Sequence, residues 1–341
     1  MDAPKPASSR KPRRLGLYGP FILLAIVVVA WSGVWLWLRA EVERRLDAER
    51  QRAPLSGHVL TWETRRVYGF PFRLDMDFTG FNWRDPSGWS VTVPKLKTEA
   101  FAFAPGHWVA MAPDGVTLDR PRGGPVVVTA RVLRASLFDT DAHPPRVSVE
   151  GLNLTFSPAS GAAPFFVQTA REIHIHTRAG PADQGAFHVS LEGAQADPSA
   201  FLGRIAAGKP LTILADAIYS HASALAGRNW PVAAHAWSEA GGALRIRQLR
   251  IHPGDADLEA RSGDLTVGPD GRLRGEVPVR LVQAQRALTA MAQVGSIAPE
   301  TARVAAVTLT AAGSPTPVNV DFLAGRATLG PVALGAAPKV Y

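Results

Sequence analysis

The chain has 341 residues, of which 46% are hydrophobic and 19% are charged, and its net charge is +8. These proportions are typical of a folded protein long enough for one large domain or two ordinary ones, and they exclude extensive disorder. The absence of cysteine excludes disulfide bonds, thiolate metal sites and a cysteine nucleophile.

Residues 1–14 form a basic tail that holds half of the net charge. Its basic side chains are Lys5, Arg10, Lys11, Arg13 and Arg14, against the single acidic residue Asp2. The remaining excess is spread along the rest of the chain, which is too dilute for a nucleic-acid surface with basic residues clustered on one face. We therefore expect no nucleic-acid partner.

Residues 15–38 contain no charged side chain and predict a transmembrane helix. At about 1.5 Å per residue they span roughly 36 Å, which is enough to cross a hydrocarbon core of about 30 Å. A cleavable signal peptide has a shorter apolar region and a small-residue cleavage site, so we predict an uncleaved anchor. Basic residues flank both ends, but four acidic residues interleave with the second group against one in the tail, which favours a cytoplasmic tail and an exported C-terminal part.

Residues 39–56 are predicted to form a helical stalk. Glu41 and Arg45 are four residues apart, as are Val42 and Leu46, which gives the stalk one charged face and one narrow apolar edge.

Residues 57–341 predict a β-rich exported domain, with a possible sub-boundary near residue 195. Apolar and polar residues alternate most clearly from Phe70 to Thr79. Three helices are predicted, one starting at the N-cap Asp197 and the others near residues 283–294 and 299–306. The predicted fold class is mainly β with a few helices (α+β): an extended or curved antiparallel sheet, able to form a groove, behind one N-terminal transmembrane helix.

The apolar face of such a sheet must be covered by a second sheet, by closure into a barrel, or by an apolar ligand in a groove. The candidate residues for lining an apolar site are Phe70, Phe72, Phe78 and Trp83. Aromatic residues of this kind are equally typical of an ordinary core. The alternation alone does not separate the two interpretations.

Catalytic and metal-binding patterns are weak. His174 and His176 lie on one face of a predicted strand and are weak candidates for metal ligands, but no third ligand is fixed nearby. Residues 203–210 approach a phosphate-binding loop, yet Pro210 replaces the Ser or Thr that would hold magnesium, so we expect no nucleotide. No serine-hydrolase elbow or zinc-protease motif is present. We expect no cofactor, no catalytic residue and no enzymatic activity.

Three motifs resemble a known family, the domain-of-unknown-function family 2125 of bacterial membrane-anchored proteins. They are residues 68–73, 236–242 and 329–338, and the signature residues are Gly69, Pro71, Arg73, Trp237, Gly241, Gly330, Pro331, Gly335 and Pro338. The resemblance implies an envelope location and no established activity. Residues 241–295 more loosely resemble the AsmA-like envelope proteins, which implies a β groove of the kind associated with lipid movement, although this chain is short for a bridge across the envelope.

The leading hypothesis is a non-enzymatic protein of the bacterial inner membrane whose periplasmic domain binds or shields an apolar envelope ligand, namely a lipid. An interaction scaffold with a packed β core, which docks onto other envelope proteins, is the alternative. A lipid-acting hydrolase or a metal-dependent enzyme is the third hypothesis.

Overall fold

The described residues form five α-helices and a large antiparallel sheet. The computed structural model describes residues 15–225, 229–311, 313 and 315–341. The predicted fold class, mainly β with a few helices, is confirmed, because strands account for 48% of the described residues and one apolar helix precedes the sheet. The helices are α1 Leu15–Arg52, α2 Phe201–Ala206, α3 Trp230–Glu239, α4 Ala284–Gln293 and α5 Pro299–Ala311, with 3₁₀ turns at Ala53–Ser56 and Ala222–Leu225.

The sheet contains nineteen strands. In chain order they are β1 Val59–Thr61, β2 Thr64–Tyr68, β3 Arg73–Arg84, β4 Ser90–Phe101, β5 Ala104–Met111, β6 Val116–Arg120, β7 Gly124–Thr129, β8 Val132–Phe138, β9 Arg146–Pro158, β10 Val167–Ala179, β11 Gly185–Ala196, β12 Leu211–Tyr219, β13 Ala243–Pro253, β14 Asp257–Ala260, β15 Asp264–Val267, β16 Leu273–Val282, β17 Thr316–Leu323, β18 Arg326–Leu329 and β19 Val332–Ala336.

Every pairing between these strands is antiparallel, and the order in the sheet follows the chain closely. Two short strands lie end to end at several positions: β1 and β2 pair with β3, β5 and β6 with β4, and β7 and β8 with β9. Strands β14 and β15 likewise share the space between β13 and β16. The sheet passes residue 195 without a break, since β11 pairs with β12.

Helices cover the apolar face of the sheet at its two ends. At the C-terminal end, α4 and α5 contribute Leu288 and Ala305 to a core with Val279 and Leu281 of β16. At the N-terminal end, the second half of α1 packs against β1 to β5. Between these ends the face is only partly covered, and Ile175 of β10 remains 38% exposed.

The structure corrects two of the predicted element boundaries. The alternation that begins at Phe70 predicts a strand, but β3 starts at Arg73, and residues 69–72 form the turn between β2 and β3. Helix α2 starts at Phe201 with Ala200 as its cap. Asp197 instead accepts a hydrogen bond from the Ser199 backbone N–H, in a turn that precedes the helix.

Two tryptophans join α1 to the start of β3. The indole N–H of Trp31 donates to the Pro71 carbonyl, and that of Trp35 donates to the Arg73 carbonyl, each at 2.8 Å. Trp35 is 4% exposed and lies at the centre of the core between α1 and the sheet. One helix therefore carries both the apolar segment and a docking face for the domain.

We expect Trp35 to stabilise this docking through its hydrogen bond and its buried ring. Substitution Trp35→Phe should lower the free energy of unfolding by about 1 kcal/mol because the Arg73 carbonyl loses its donor. Truncation to Ala should cost about 3–5 kcal/mol because it also leaves a cavity. Urea unfolding of the full chain in detergent, followed by circular dichroism, measures both changes.

Trp37, two residues further along α1 and 62% exposed, supplies the control. Trp37→Phe should change the free energy of unfolding by less than about 0.5 kcal/mol. Equal losses at positions 35 and 37 would contradict the docking role of Trp35.

Candidate apolar groove between the helix and the sheet

A cavity of about 780 Å³ lies between α1 and the apolar face of the sheet. This volume falls within the range of roughly 300–1,000 Å³ that is typical of small-molecule sites. One wall comes from α1 and consists of Trp37, Leu38, Glu41, Val42, Arg45 and Leu46. The sheet supplies the floor, which includes Met76, Phe78, Phe81, Leu96, Thr98, Trp108, Ala110, Ala135, Leu137 and Val147. We call this cavity the groove.

The floor of the groove continues across the sheet as one row of directly paired residues. Side chains at paired positions lie on the same face of a sheet, so the row marks a single surface. It runs through Val67, Met76, Thr98, Ala110, Ala135, Val149, Ile175, Val189, Ala215 and Leu249, from β2 to β13. The apolar surface therefore extends well beyond the part that α1 covers.

Thr98 is the only polar member of this row. Its Oγ1 atom is buried and has no hydrogen-bond partner among the described residues. A buried hydroxyl without a partner costs free energy, so its position in the groove floor is a place where a polar atom of a bound molecule would be stabilised.

Charged groups of the helix wall are paired with one another. Glu41 accepts a hydrogen bond from Arg45 at 2.6 Å and also forms an ion pair with Arg44. Further along α1, Asp47 accepts two hydrogen bonds from Arg65 of β2, at 2.8 and 3.2 Å. Hydrogen bonding to this guanidinium holds the pKa of the Asp47 carboxyl below its usual value. These pairs leave the interior of the groove apolar.

The predicted apolar-site residues fall into three places. Phe78 lines the groove and is nearly fully buried, with its ring edge-on to Trp62 at 5.6 Å between ring centroids. Phe70 and Phe72 border a second cavity of about 550 Å³ along α1. Trp83 is outside both cavities and lies 6.0 Å from the His58 ring.

Several groove residues had no signal of a binding role in the sequence. Trp37 resembles the other tryptophans of the apolar segment, and Thr98 resembles any polar residue of a strand. Val42 and Leu46 are the exception, because their spacing marks an apolar edge on the stalk, and this edge is the one that faces the groove.

The residues on which the family resemblance rests lie in backbone turns or at contacts between secondary-structure elements. Gly69 has a φ of 106°, and a Cβ at that position would lie 2.8 Å from the Arg73 carbonyl oxygen. Arg73 forms ion pairs with Asp75 and Glu99. The Trp237 indole donates to the Ser220 carbonyl at 2.6 Å. The other signature positions lie after α3 and near the last hairpin: Gly241, Gly330, Pro331, Gly335 and Pro338.

The histidines of β10 lie on the face opposite the groove. His174 contacts Glu172 at 2.5 Å, and His176 contacts Ser148 at 2.9 Å. Burial, followed by the neighbouring His188, lowers the pKa of His176. Within the described ranges, no three His, Asp or Glu side chains are arranged to hold a metal ion.

Comparison with known proteins identifies one family. The profile described as "Uncharacterized protein conserved in bacteria (DUF2125)" matches residues 35–338. No curated protein and no solved structure matches the chain. The looser resemblance to AsmA-like proteins is not confirmed.

The unpaired hydroxyl of Thr98 predicts an unusual response to mutation. Thr98→Val keeps the shape of the side chain and removes a buried polar atom without a partner, so the free energy of unfolding should stay unchanged or rise by up to about 1–3 kcal/mol. Urea unfolding of delipidated full chain in detergent measures this change.

Thr92 provides a matched control on the same strand, since its hydroxyl accepts a hydrogen bond from Asn82 at 2.7 Å. Thr92→Val should lower the free energy of unfolding by about 1 kcal/mol. A similar loss for Thr98→Val would show that the Thr98 hydroxyl has a partner in solution.

Proposed function

The chain belongs to the DUF2125 family of uncharacterised bacterial proteins, and from that premise we propose that it is a membrane-anchored, non-enzymatic protein that binds lipid in the groove. The observation that carries this proposal is the apolar groove, which begins beside the last residues of the apolar segment of α1 and continues along the sheet. The ligand class follows from an apolar site next to a helix that can enter a bilayer.

We further propose that residues 15–38 cross the bacterial inner membrane, with residues 1–14 in the cytoplasm and residues 57–341 in the periplasm. Helix α1 is long and apolar enough to cross a membrane. The basic tail supports a cytoplasmic N-terminus under the positive-inside rule.

The chemistry of the groove suits an acyl chain. Burial of apolar groups is worth about 0.8 kcal/mol per methylene when they leave water. Transfer from the bilayer, whose interior is equally apolar, gains little of this free energy. We therefore propose that the groove shields a lipid from water and exchanges it reversibly with the bilayer.

A non-enzymatic role is supported by the groove lining. Its only titratable side chains among the described residues are Glu41 and Arg45, and these two form an ion pair with each other. Neither is therefore free to act as a general acid or base.

Photo-crosslinking of the full chain in bacterial membranes tests the proposal. The photoreactive residue p-benzoylphenylalanine at position 137, where Leu137 faces the groove, should yield a lipid adduct detected by intact mass spectrometry. The same residue at position 138 should yield none, because Phe138 points to the other face of the strand, against His107. Equal adducts at both positions, or no adduct at position 137, would reject lipid binding in the groove.

Filling the groove should remove the adduct at position 137. Ala110→Trp and Ala135→Phe each place a large ring in the floor, whereas Ala236→Trp adds the same bulk on the exposed side of α3. We expect the first two variants to reduce the adduct to the level found at position 138 and the third to leave it unchanged. Circular dichroism of each variant separates loss of binding from loss of fold.

An envelope interaction scaffold is the second candidate. Helix α5 leaves Val304 70% exposed and Val307 71% exposed, and exposed apolar side chains of this kind can contact a protein partner. If the protein is a scaffold, the double variant Val304→Asp/Val307→Asp should abolish its cellular role, and Ala110→Trp should leave that role intact. If the protein acts by binding lipid, Ala110→Trp should abolish the cellular role, and the double variant should leave it intact.

A further inference from the structure

Four exposed phenylalanines lie at one end of the sheet. Phe70 and Phe72 belong to the turn between β2 and β3, while Phe101 ends β4 and Phe103 lies in the turn between β4 and β5. Each exposes between 53% and 68% of its surface. The Ala102 N–H donates to the Phe72 carbonyl at 2.9 Å, and the Phe101 and Phe103 rings stack at 5.0 Å, so the two turns form one unit. We call this unit the phenylalanine tip.

The phenylalanine tip lies beside the apolar part of α1. The Phe72 ring is 6.4 Å from Trp31, and the Phe70 ring is 5.5 Å from Trp35. Phe103 shares the second cavity with Val27, four residues before Trp31. These helix residues all fall within the uncharged segment 15–38. The tip therefore lies at the depth of residues that we propose to be in the membrane.

A band of charge marks where the apolar surface ends. Arg73 follows the tip directly and forms ion pairs with Asp75 and Glu99, and its carbonyl meets Trp35. From the level of Trp35, Trp31 lies about 6 Å deeper and Val27 about 12 Å deeper along the helix axis. Interfacial protein segments bury their apolar side chains to a comparable depth of roughly 5–10 Å.

We propose that the phenylalanine tip is inserted into the leaflet from which α1 emerges, with the Arg73 ion pairs at the headgroup level. The occupant of this apolar surface is the bilayer itself, because the exposed rings are continuous with the membrane-facing side of α1. This inference rests on the proposed membrane position of α1. It adds a second membrane contact that is made by the sheet.

Insertion of the tip would join the groove to the bilayer. Pro105, two residues after Phe103, lines the groove, as does Trp37 of α1. The end of the groove at Trp37 and Pro105 thus adjoins the tip. An acyl chain could pass there from the leaflet into the groove without crossing water. Phe101 and Phe103 would stand beside this entrance.

Depth measurement with spin labels tests the proposal in the intact protein. Because the chain has no cysteine, Phe101→Cys, Phe103→Cys and Phe72→Cys each carry a single label. The full chain is reconstituted in vesicles of phosphatidylethanolamine and phosphatidylglycerol at a 3:1 ratio. Collisions of the label with oxygen, which enters the bilayer, are compared with collisions with a water-soluble nickel chelate.

Two control positions calibrate the measurement. Val29→Cys on the lipid-facing side of α1 should report the bilayer, and Leu323→Cys at the exposed β17–β18 turn should report water. We expect Phe72→Cys and Phe103→Cys to match Val29→Cys in losing nickel collisions, and Phe101→Cys to lose them relative to Leu323→Cys. Phe103→Cys should report a greater depth than Phe101→Cys, because Phe101 pairs with Arg73 while Phe103 reaches the level of Val27.

The other outcomes overturn the proposal in distinguishable ways. Tip labels that behave like Leu323→Cys, while Val29→Cys reports the bilayer, would show an anchored protein whose tip is in water. Low collision rates with both reagents would show that protein covers the tip, either a second copy or a partner. A water signal at Val29→Cys would reject the membrane position of α1 itself.

Discussion

Two hydrogen bonds from indole N–H groups to backbone carbonyls fix the position of the sheet relative to α1. Trp31 and Trp35 hold the start of β3, and this contact brings the following residues of the helix over the apolar face of the sheet. Further along, Arg65 and Asp47 fix the same helix to β2. The groove lies between these two attachment points, where residues 37–46 of the helix pass over the sheet.

The apolar face of a long antiparallel sheet needs cover along its whole width. Here α1 covers one end, α4 and α5 cover the other, and the row through Ile175 lies between them. This arrangement differs from a packed sandwich, in which a second sheet would occupy the same face. A partly covered face suits a protein whose apolar ligand completes the cover.

The sequence predicts the elements better than it predicts the site. The uncharged segment and the alternation at Leu74, Met76 and Phe78 identify α1 and β3 through local periodicity. The same alternation was wrong at Phe70, because the turn there is held by contacts with α1 that no local pattern records. Helix α3 was missed, although Asn229 caps it. The groove joins α1 to β9, and no local pattern indicates such distant contacts.

The continuity of α1 has a mechanical consequence. Its single proline, Pro20, lies near the start, and the helix continues from there to Arg52 without a break, so the residues that dock on the sheet belong to the same helix as the apolar segment. A helix whose apolar length exceeds the local hydrocarbon thickness tilts to fit. Because the sheet is docked directly on this helix, a thinner bilayer would tilt the sheet together with the helix if residues 15–38 cross the membrane as proposed. On the proposed topology, membrane thickness would therefore influence the orientation of the sheet.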